Sequence, residues 1–325
     1  MKKPIVLING KVQEEIVPAL ESHFEIRQWK KEGIMPLDVL EREIPSADAL
    51  ILAYTSILPS NIIEKGSNLK IIAQHFVGYE NVDIDACTKA NIPFCNTASA
   101  SINTVAELAI SLMFAASRHI VDCAQYVRNG EWAKNNYYNF LSGFDIKDST
   151  IGILGMGKIG FSIATKAQAL GMNVLYNNRH RRLDVENNTL NFADLDTLYK
   201  QSDVIINVLP SNASTHHLIN ISSFKKMKPT ALFINVGRGD TVVTNDLITA
   251  LKEKYIAQAA LDVIEEEPIS IDHPILKMPN VIITPHIGSC TEQTRLKKSQ
   301  ITIQNILNCF AHKPLIDCVN AKYLK

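Results

Sequence analysis

The chain has 325 residues, 46% of them apolar and 20% charged, with 33 basic side chains balancing 33 acidic ones. A net charge of zero gives no global pull toward nucleic acid or an anionic membrane, so a small molecule is the expected partner. The length favours two domains over a single core. The longest apolar run, LAISLMFAA, is well short of the ~20 residues of a membrane span, and the run behind Lys3 stops at Asn9 without a cleavage pattern. A cytoplasmic protein is expected. Six cysteines lie scattered without a CxxC pair or a Cys/His cluster, which predicts reduced thiols and neither a metal site nor a disulfide framework.

In chain order, residues 4 to 100 alternate short apolar runs with helical stretches: PIVLIN, FEIRQW, ADALILAY, LKIIAQHF and IPFCN are the candidate strands of a small parallel sheet. Thr104 and Glu107 have the T-x-x-E spacing of a capping box opening VAELAISLMFAASRHI, apolar all round and therefore expected to be a buried helix crossing between domains. Residues 129 to 146 carry Trp132, Tyr137, Tyr138, Phe140 and Phe144 without helix or strand period. Aromatics without a local core predict either a subunit interface or a loop folded onto its own domain. From Ser149 the alternation restarts with six strands, STIGILG, NVLYNN, DVIINVLP, TALFINVG, AQAALDVI and NVIITPHI, whose near-continuous apolar character implies a sheet covered on both faces. Residues 290 to 311 read as a long helix and PLIDCVN as a last extended piece, a tail expected to cross back and complete the first domain.

The string GILGMGKIG sets Gly155, Gly157 and Gly160 in G-x-G-x-x-G spacing after a strand and at the opening of a helix. Gly155 permits the tight turn, Gly157 lets a diphosphate approach the helix N-terminus, and Gly160 allows close helix packing. An NAD-specific site would place a carboxylate near the end of the next strand to bind the ribose 2′-hydroxyl. That position falls on neutral Asn178, followed by Arg179, His180, Arg181 and Arg182. Guanidinium groups fork onto a 2′-phosphate, so NADPH is the expected cofactor, gripped by Arg179 and Arg181, with NADH weaker.

Three strand ends deliver an acid, a base and a guanidinium: Glu267 in EEEP, His286 in PHIGS and Arg238 in NVGRG. If the strands are parallel neighbours, these side chains meet at one sheet edge, where open α/β folds place ligands. A hydride moving to a carbonyl leaves an alkoxide that needs a proton. His286 is the natural donor, Glu267 its orienting partner, and Arg238 a bidentate clamp for the carboxylate of a 2-oxo acid. The other eight histidines, His216 and His217 among them, have no such strand-end setting and read as surface or packing residues.

The pieces HFVGYENVDIDACTKANIPFCNT, VAELAISLMFAASR, GILGMGKIG, NVGRGD, ALDVIEEEP and TPHIGS together resemble the D-isomer-specific 2-hydroxyacid dehydrogenases, in their glyoxylate/hydroxypyruvate reductase branch. The resemblance implies two doubly wound α/β domains: a flavodoxin-like substrate domain (1–101 plus 288–325) and a Rossmann dinucleotide domain (102–287). It also implies catalytic roles for Arg238, Glu267 and His286, with Glu267 chosen from three consecutive glutamates because it immediately precedes the proline. Backbone amides of Val77 and Gly78 are expected at the substrate carboxylate. Met156, Lys158, Ile159, Pro210, Thr215, Val236, Gly237, Asp262, Gly288 and Ser289 are expected around the cofactor. The aromatic segment resembles the family's dimer arm, so a homodimer is expected. Glyoxylate and hydroxypyruvate are the implied substrates, because FVGYEN has no Lys or Arg to neutralise a phosphate. A reductase of bulkier 2-oxo acids and a dinucleotide-sensing corepressor are the alternatives, and the chain shows no partner-binding extension for the latter.

Overall fold

The computed structural model describes residues 2–53, 56–134 and 142–324. Its contacts divide the chain into two compact units, Met1–Ser101 with Cys290–Lys325, and Ile102–Ser289. Each is an α/β layer structure around a parallel sheet.

The first unit carries β1 (Ile5–Ile8), β2 (Glu25–Gln28), β3 (Ala49–Leu52), β4 (Ile71–Gln74) and β5 (Phe94–Cys95) in the order β2-β1-β3-β4-β5. Interior strands such as IVLI and ALIL are buried at every position, because helices cover both faces. Period-2 alternation then splits each strand between two cores. Leu7, Leu50, Leu52 and Ile72 meet the helices Leu37–Glu43 and Ser60–Ile63 on one side, whereas Val6, Ile8, Ile51 and Ile71 meet Ile16–Glu21 and the C-terminal helix Glu292–Phe310 on the other. The C-terminal helix therefore returns to the first sheet. The extended piece expected at PLIDCVN reduces to one antiparallel bridge between Cys318 and Cys95, since Pro314 and the positive φ of Asp317 (50°) break a longer ladder.

The second unit has seven strands: β6 (Thr150–Leu154), β7 (Asn173–Asn177), β8 (Leu190–Phe192), β9 (Val204–Asn207), β10 (Leu232–Asn235), β11 (Gln258–Leu261) and β12 (Val281–Ile283). Their order, β12-β11-β10-β9-β6-β7-β8, is the doubly wound dinucleotide-binding arrangement with one further strand, and it reverses between β6 and β9. The sequence predicts six strands here; β8, a three-residue edge strand in LNF, is the addition.

Two details of the connection differ from expectation. The helix Ile102–Ser117 begins before Thr104, which therefore sits inside the first turn and cannot be its N-cap. It buries Ala106, Ala109, Leu112, Met113 and Ala116 against the second sheet while Asn103, Glu107 and Ser111 stay exposed, so it is a one-faced helix rather than one buried all round. The next helix, Ile120–Arg128, buries none of its residues. Among the described residues, no single helix is long and apolar enough to cross a membrane.

Candidate active site

Gly155 follows β6, where the strand order reverses, and takes a φ of 101° that favours glycine. A Cβ on Gly160 would fall 2.0 Å from the Gly155 carbonyl oxygen, so the helix Lys158–Ala169 can approach the strand only with glycine there. Over Gly157, the N-cap of this helix, a Cβ would meet nothing within 4 Å. No side chain caps it either. Open space over the positive end of a three-turn helix fits a dinucleotide diphosphate.

At the end of β7, Asn178 accepts from Met156 N (3.4 Å) and donates to the His180 carbonyl (3.0 Å), tying the strand end to the glycine loop. The arginines behind it are not equivalent. Arg179 donates to Ser214 Oγ over 3.3 Å, whereas Arg181 forks onto both carboxylate oxygens of Glu186 (2.8 and 2.7 Å). Arg182 pairs with Asp184 and reaches the Met156 carbonyl at 3.2 Å. Of the two residues expected to grip a 2′-phosphate, Arg181 is thus already committed to a carboxylate.

On the other side of the reversal, β10, β11 and β12 are parallel neighbours, and Arg238, Glu267 and His286 follow their C-terminal ends in that order. His286 Nδ1 lies 2.7 Å from Glu267 Oε2. The Glu267 bond raises the His286 pKa above the ordinary imidazole value; burial opposes this, and the charges of Glu267 and Asp262 add to it. For Glu267, burial pushes upward, but the His286 bond and charge, the Ile264 N–H and the Arg238 charge outweigh it and leave the carboxyl below its usual range. Proton-bearing imidazole and ionised carboxylate stabilise each other. The Glu267–Pro268 peptide is cis.

Backbone clamps hold the set. The Arg238 carbonyl accepts from Thr241 Oγ1 (2.6 Å) and Asn235 Nδ2 (3.1 Å), and Asn235 is itself bonded to Asn207. His286 sits at a φ of 53°, with its N–H shared between the carbonyls of Asp262 (3.0 Å) and Thr284 (2.9 Å). The buried Asp262 carboxylate accepts from Ile287 N, Gly288 N (both 2.8 Å) and Thr284 Oγ1 (2.6 Å), pinning the loop that carries the histidine. Thr215 ties its loop through the Pro210 carbonyl (2.6 Å), and Val236 and Gly237 are buried behind Arg238. In the first unit, the loop of Val77 and Gly78 hangs on Asn96, which donates to the Val77 carbonyl at 2.8 Å, and on Gln74, which donates to Gly78.

Sequence reasoning misses a second histidine–carboxylate pair. His217 Nε2 lies 2.6 Å from Glu265 Oε1, so this histidine does have a strand-end partner. The other Glu265 oxygen accepts from Thr244 N, at the start of the helix Thr244–Lys252, and His217 N donates to the Asp240 carbonyl. The pair joins two loops to a helix end. Also unforeseen is Lys298, buried beside Phe76 with its ammonium 5.8 Å from the ring centroid, where desolvation lowers its pKa. Among the described residues, no three His, Cys, Asp or Glu side chains converge as a metal site would require.

Residues 110–288 match the family description "D-isomer specific 2-hydroxyacid dehydrogenase, NAD binding domain". The chain is 37% identical to the glyoxylate reductase of Thermococcus onnurineus over 94% of its length and 92% of that protein's. It belongs to the D-isomer-specific 2-hydroxyacid dehydrogenases. Over 98% of both chains this dehydrogenase is also 36% identical to the glyoxylate/hydroxypyruvate reductase B of Shigella boydii. A solved structure of an NADPH-dependent glyoxylate/hydroxypyruvate reductase from Sinorhizobium meliloti, in complex with NADP and malonate, superposes with a TM-score of 0.88, at 27% identity and covering 100% of this chain and 99% of that one. The dehydrogenase is therefore an NAD(P)-dependent enzyme of 2-hydroxy and 2-oxo acid chemistry.

Proposed function

We propose that the enzyme is an NADPH-preferring reductase of small 2-oxo acids, converting glyoxylate to glycolate and hydroxypyruvate to D-glycerate. The observation that carries this reading is the 2.7 Å contact between His286 and Glu267 at strand ends adjoining that of Arg238. The bound dinucleotide supplies the hydride. Because Nδ1 of His286 is held by Glu267, Nε2 is the nitrogen left to hand a proton to the carbonyl oxygen as it becomes an alkoxide. Arg238 takes the substrate carboxylate with a planar fork and polarises the adjacent carbonyl. Preference for NADPH is supported by the absence of a carboxylate at Asn178 and by Arg179 directly behind it.

Substrate size follows from the same chemistry: one guanidinium suffices for one carboxylate, and hydroxypyruvate's hydroxymethyl group can gain a polar contact that the methyl of pyruvate cannot. A homodimer is part of the proposal. Ile120, Val121 and Val127 on the helix that buries nothing, with Trp132 beyond it, leave apolar side chains at least half exposed (50–57%), more apolar surface than a helix kept in water normally shows. Of the aromatic segment, Phe144 packs back onto its own unit, and Tyr137, Tyr138 and Phe140 lie outside the described residues. Steady-state rates with glyoxylate, hydroxypyruvate, pyruvate and a branched 2-oxo acid, each with NADPH and NADH, test the reading. Highest kcat/KM for the two small substrates with NADPH is expected. A branched acid ranking first would overturn the substrate class and leave the reaction type standing.

A further inference from the structure

The first unit holds two cysteines for which the reaction has no use. Cys95 closes β5, the edge strand, and Cys318 faces it from the C-terminal segment as an isolated antiparallel bridge. The flanking bonds run from Val319 N to the Phe94 carbonyl (2.9 Å) and from Asn96 N to the Asp317 carbonyl (3.3 Å). Joining the neighbours of the two cysteines in this way makes Cys95 and Cys318 a non-hydrogen-bonded pair, the register in which opposed Cα atoms approach to ~4.5 Å. A disulfide spans Cα separations of ~4.4–6.8 Å, so this one needs no backbone rearrangement.

The two thiols also differ in the way an oxidisable pair requires. Cys95 is fully buried and Cys318 is partly open to solvent. The Cys95 thiol lowers the pKa of Cys318; burial opposes this, and the N–H groups of Asn320, Ala321 and Phe94 reinforce it. Cys95 is pushed up by the Cys318 thiol and then by burial. Solvent access and thiolate character thus coincide on Cys318, with Cys95 behind it. Cys318 Sγ donates to Asn320 Oδ1 at 3.5 Å and nearby Cys309 Sγ to the Lys70 carbonyl at 3.3 Å, but only Cys318 is bridged to Cys95.

We propose that Cys95 and Cys318 are a modification site: a thiol pair that a peroxide oxidises to a disulfide, fastening the C-terminal segment to the edge of the first sheet. The Cys318 thiolate attacks one peroxide oxygen and displaces hydroxide, giving a sulfenic acid. The Cys95 sulfur then attacks Cys318 Sγ and expels hydroxide, which leaves as water with the Cys95 proton. Two thiols are oxidised, one hydrogen peroxide is reduced, and two waters form. The bond closes a loop that contains the whole second unit, and it lies next to Asn96 and Thr97, which hold the carbonyls of Val77, Phe76 and His75.

The test treats the full-length reduced protein with hydrogen peroxide, alkylates the remaining thiols and maps the peptides by mass spectrometry. A Cys95–Cys318 cross-link that dithiothreitol reverses is expected, with a rise of about 5 °C in the thermal midpoint from the constrained unfolded chain. Cys318→Ser should lose both the link and the rise, and Cys309→Ala should keep both. Recovery of Cys95 as a free thiol, or its linkage to Cys309, overturns the assignment. An oxidised protein that melts where the reduced one does overturns the fastening.

Discussion

Asp262 offers the sharpest test of how the fold serves the chemistry, because its carboxylate is buried and accepts three hydrogen bonds, from Ile287 N and Gly288 N at 2.8 Å and Thr284 Oγ1 at 2.6 Å. In Asp262→Asn the shape is kept, but one acceptor oxygen becomes an NH2 facing an N–H. The variant forfeits a charge-assisted bond, about 1.5–3 kcal/mol, and strands a buried donor, about 1–3 kcal/mol, so a destabilisation of roughly 3–5 kcal/mol is expected. The same change loosens the loop that carries His286. A displacement of ~1 Å in a proton donor costs about a hundredfold in turnover, so kcat should fall by that order even where the variant is fully folded. Urea denaturation followed by circular dichroism reads the first effect, and single-turnover rates under conditions where the dichroism is native read the second. An unchanged denaturation midpoint with undiminished kcat would refute the view of Asp262 as the loop's clamp.

Glu267→Gln should bring the alkaline limb of the reduction profile to lower pH: reduction needs protonated His286, the glutamate is the first cause of its raised pKa, and without it the proton is lost earlier as pH rises. An unmoved limb in the pH dependence of kcat/KM would detach the two residues. Arg179→Ala should narrow the NADPH-over-NADH ratio about tenfold, whereas Arg181→Ala should change it less, because that guanidinium is held by Glu186. Equal effects of the two substitutions on the ratio would contradict this division. Val121→Asp should convert a dimer sedimenting near twice the 36.1 kDa chain mass into a monomer. A wild-type chain that sediments at the single-chain mass would remove the dimer altogether.

The interior strands were legible because burial on both faces leaves an unbroken apolar run, as in IVLI, ALIL and VIIN, and such runs need no partner to be recognised. Strand β8 was not, since LNF at a sheet edge is too short and too polar to differ from a loop. Thr104 misleads for a related reason: T-x-x-E spacing is local, but the helix, which starts at Ile102, is held by Val105, Ala106 and Ala109 packing onto their own unit. At the candidate site, strand-end position singled out Arg238, Glu267 and His286. Nothing local indicated that Asp262 clamps the His286 loop or that Glu265 pairs with His217, because both contacts join segments far apart in the chain. Such contacts leave no period and no motif.

The left-handed backbone at His286 has a consequence for anyone who tries to improve this protein. A φ of 53° costs a side chain of ordinary shape about 1–2 kcal/mol, and glycine would be relieved of it. The conformation that aims the imidazole is therefore one the polypeptide itself resists. Selection for heat resistance alone would weigh that relief against the lost His286–Glu267 bond and would not register the lost proton donor at all. Only a screen that reads turnover alongside stability would keep the histidine.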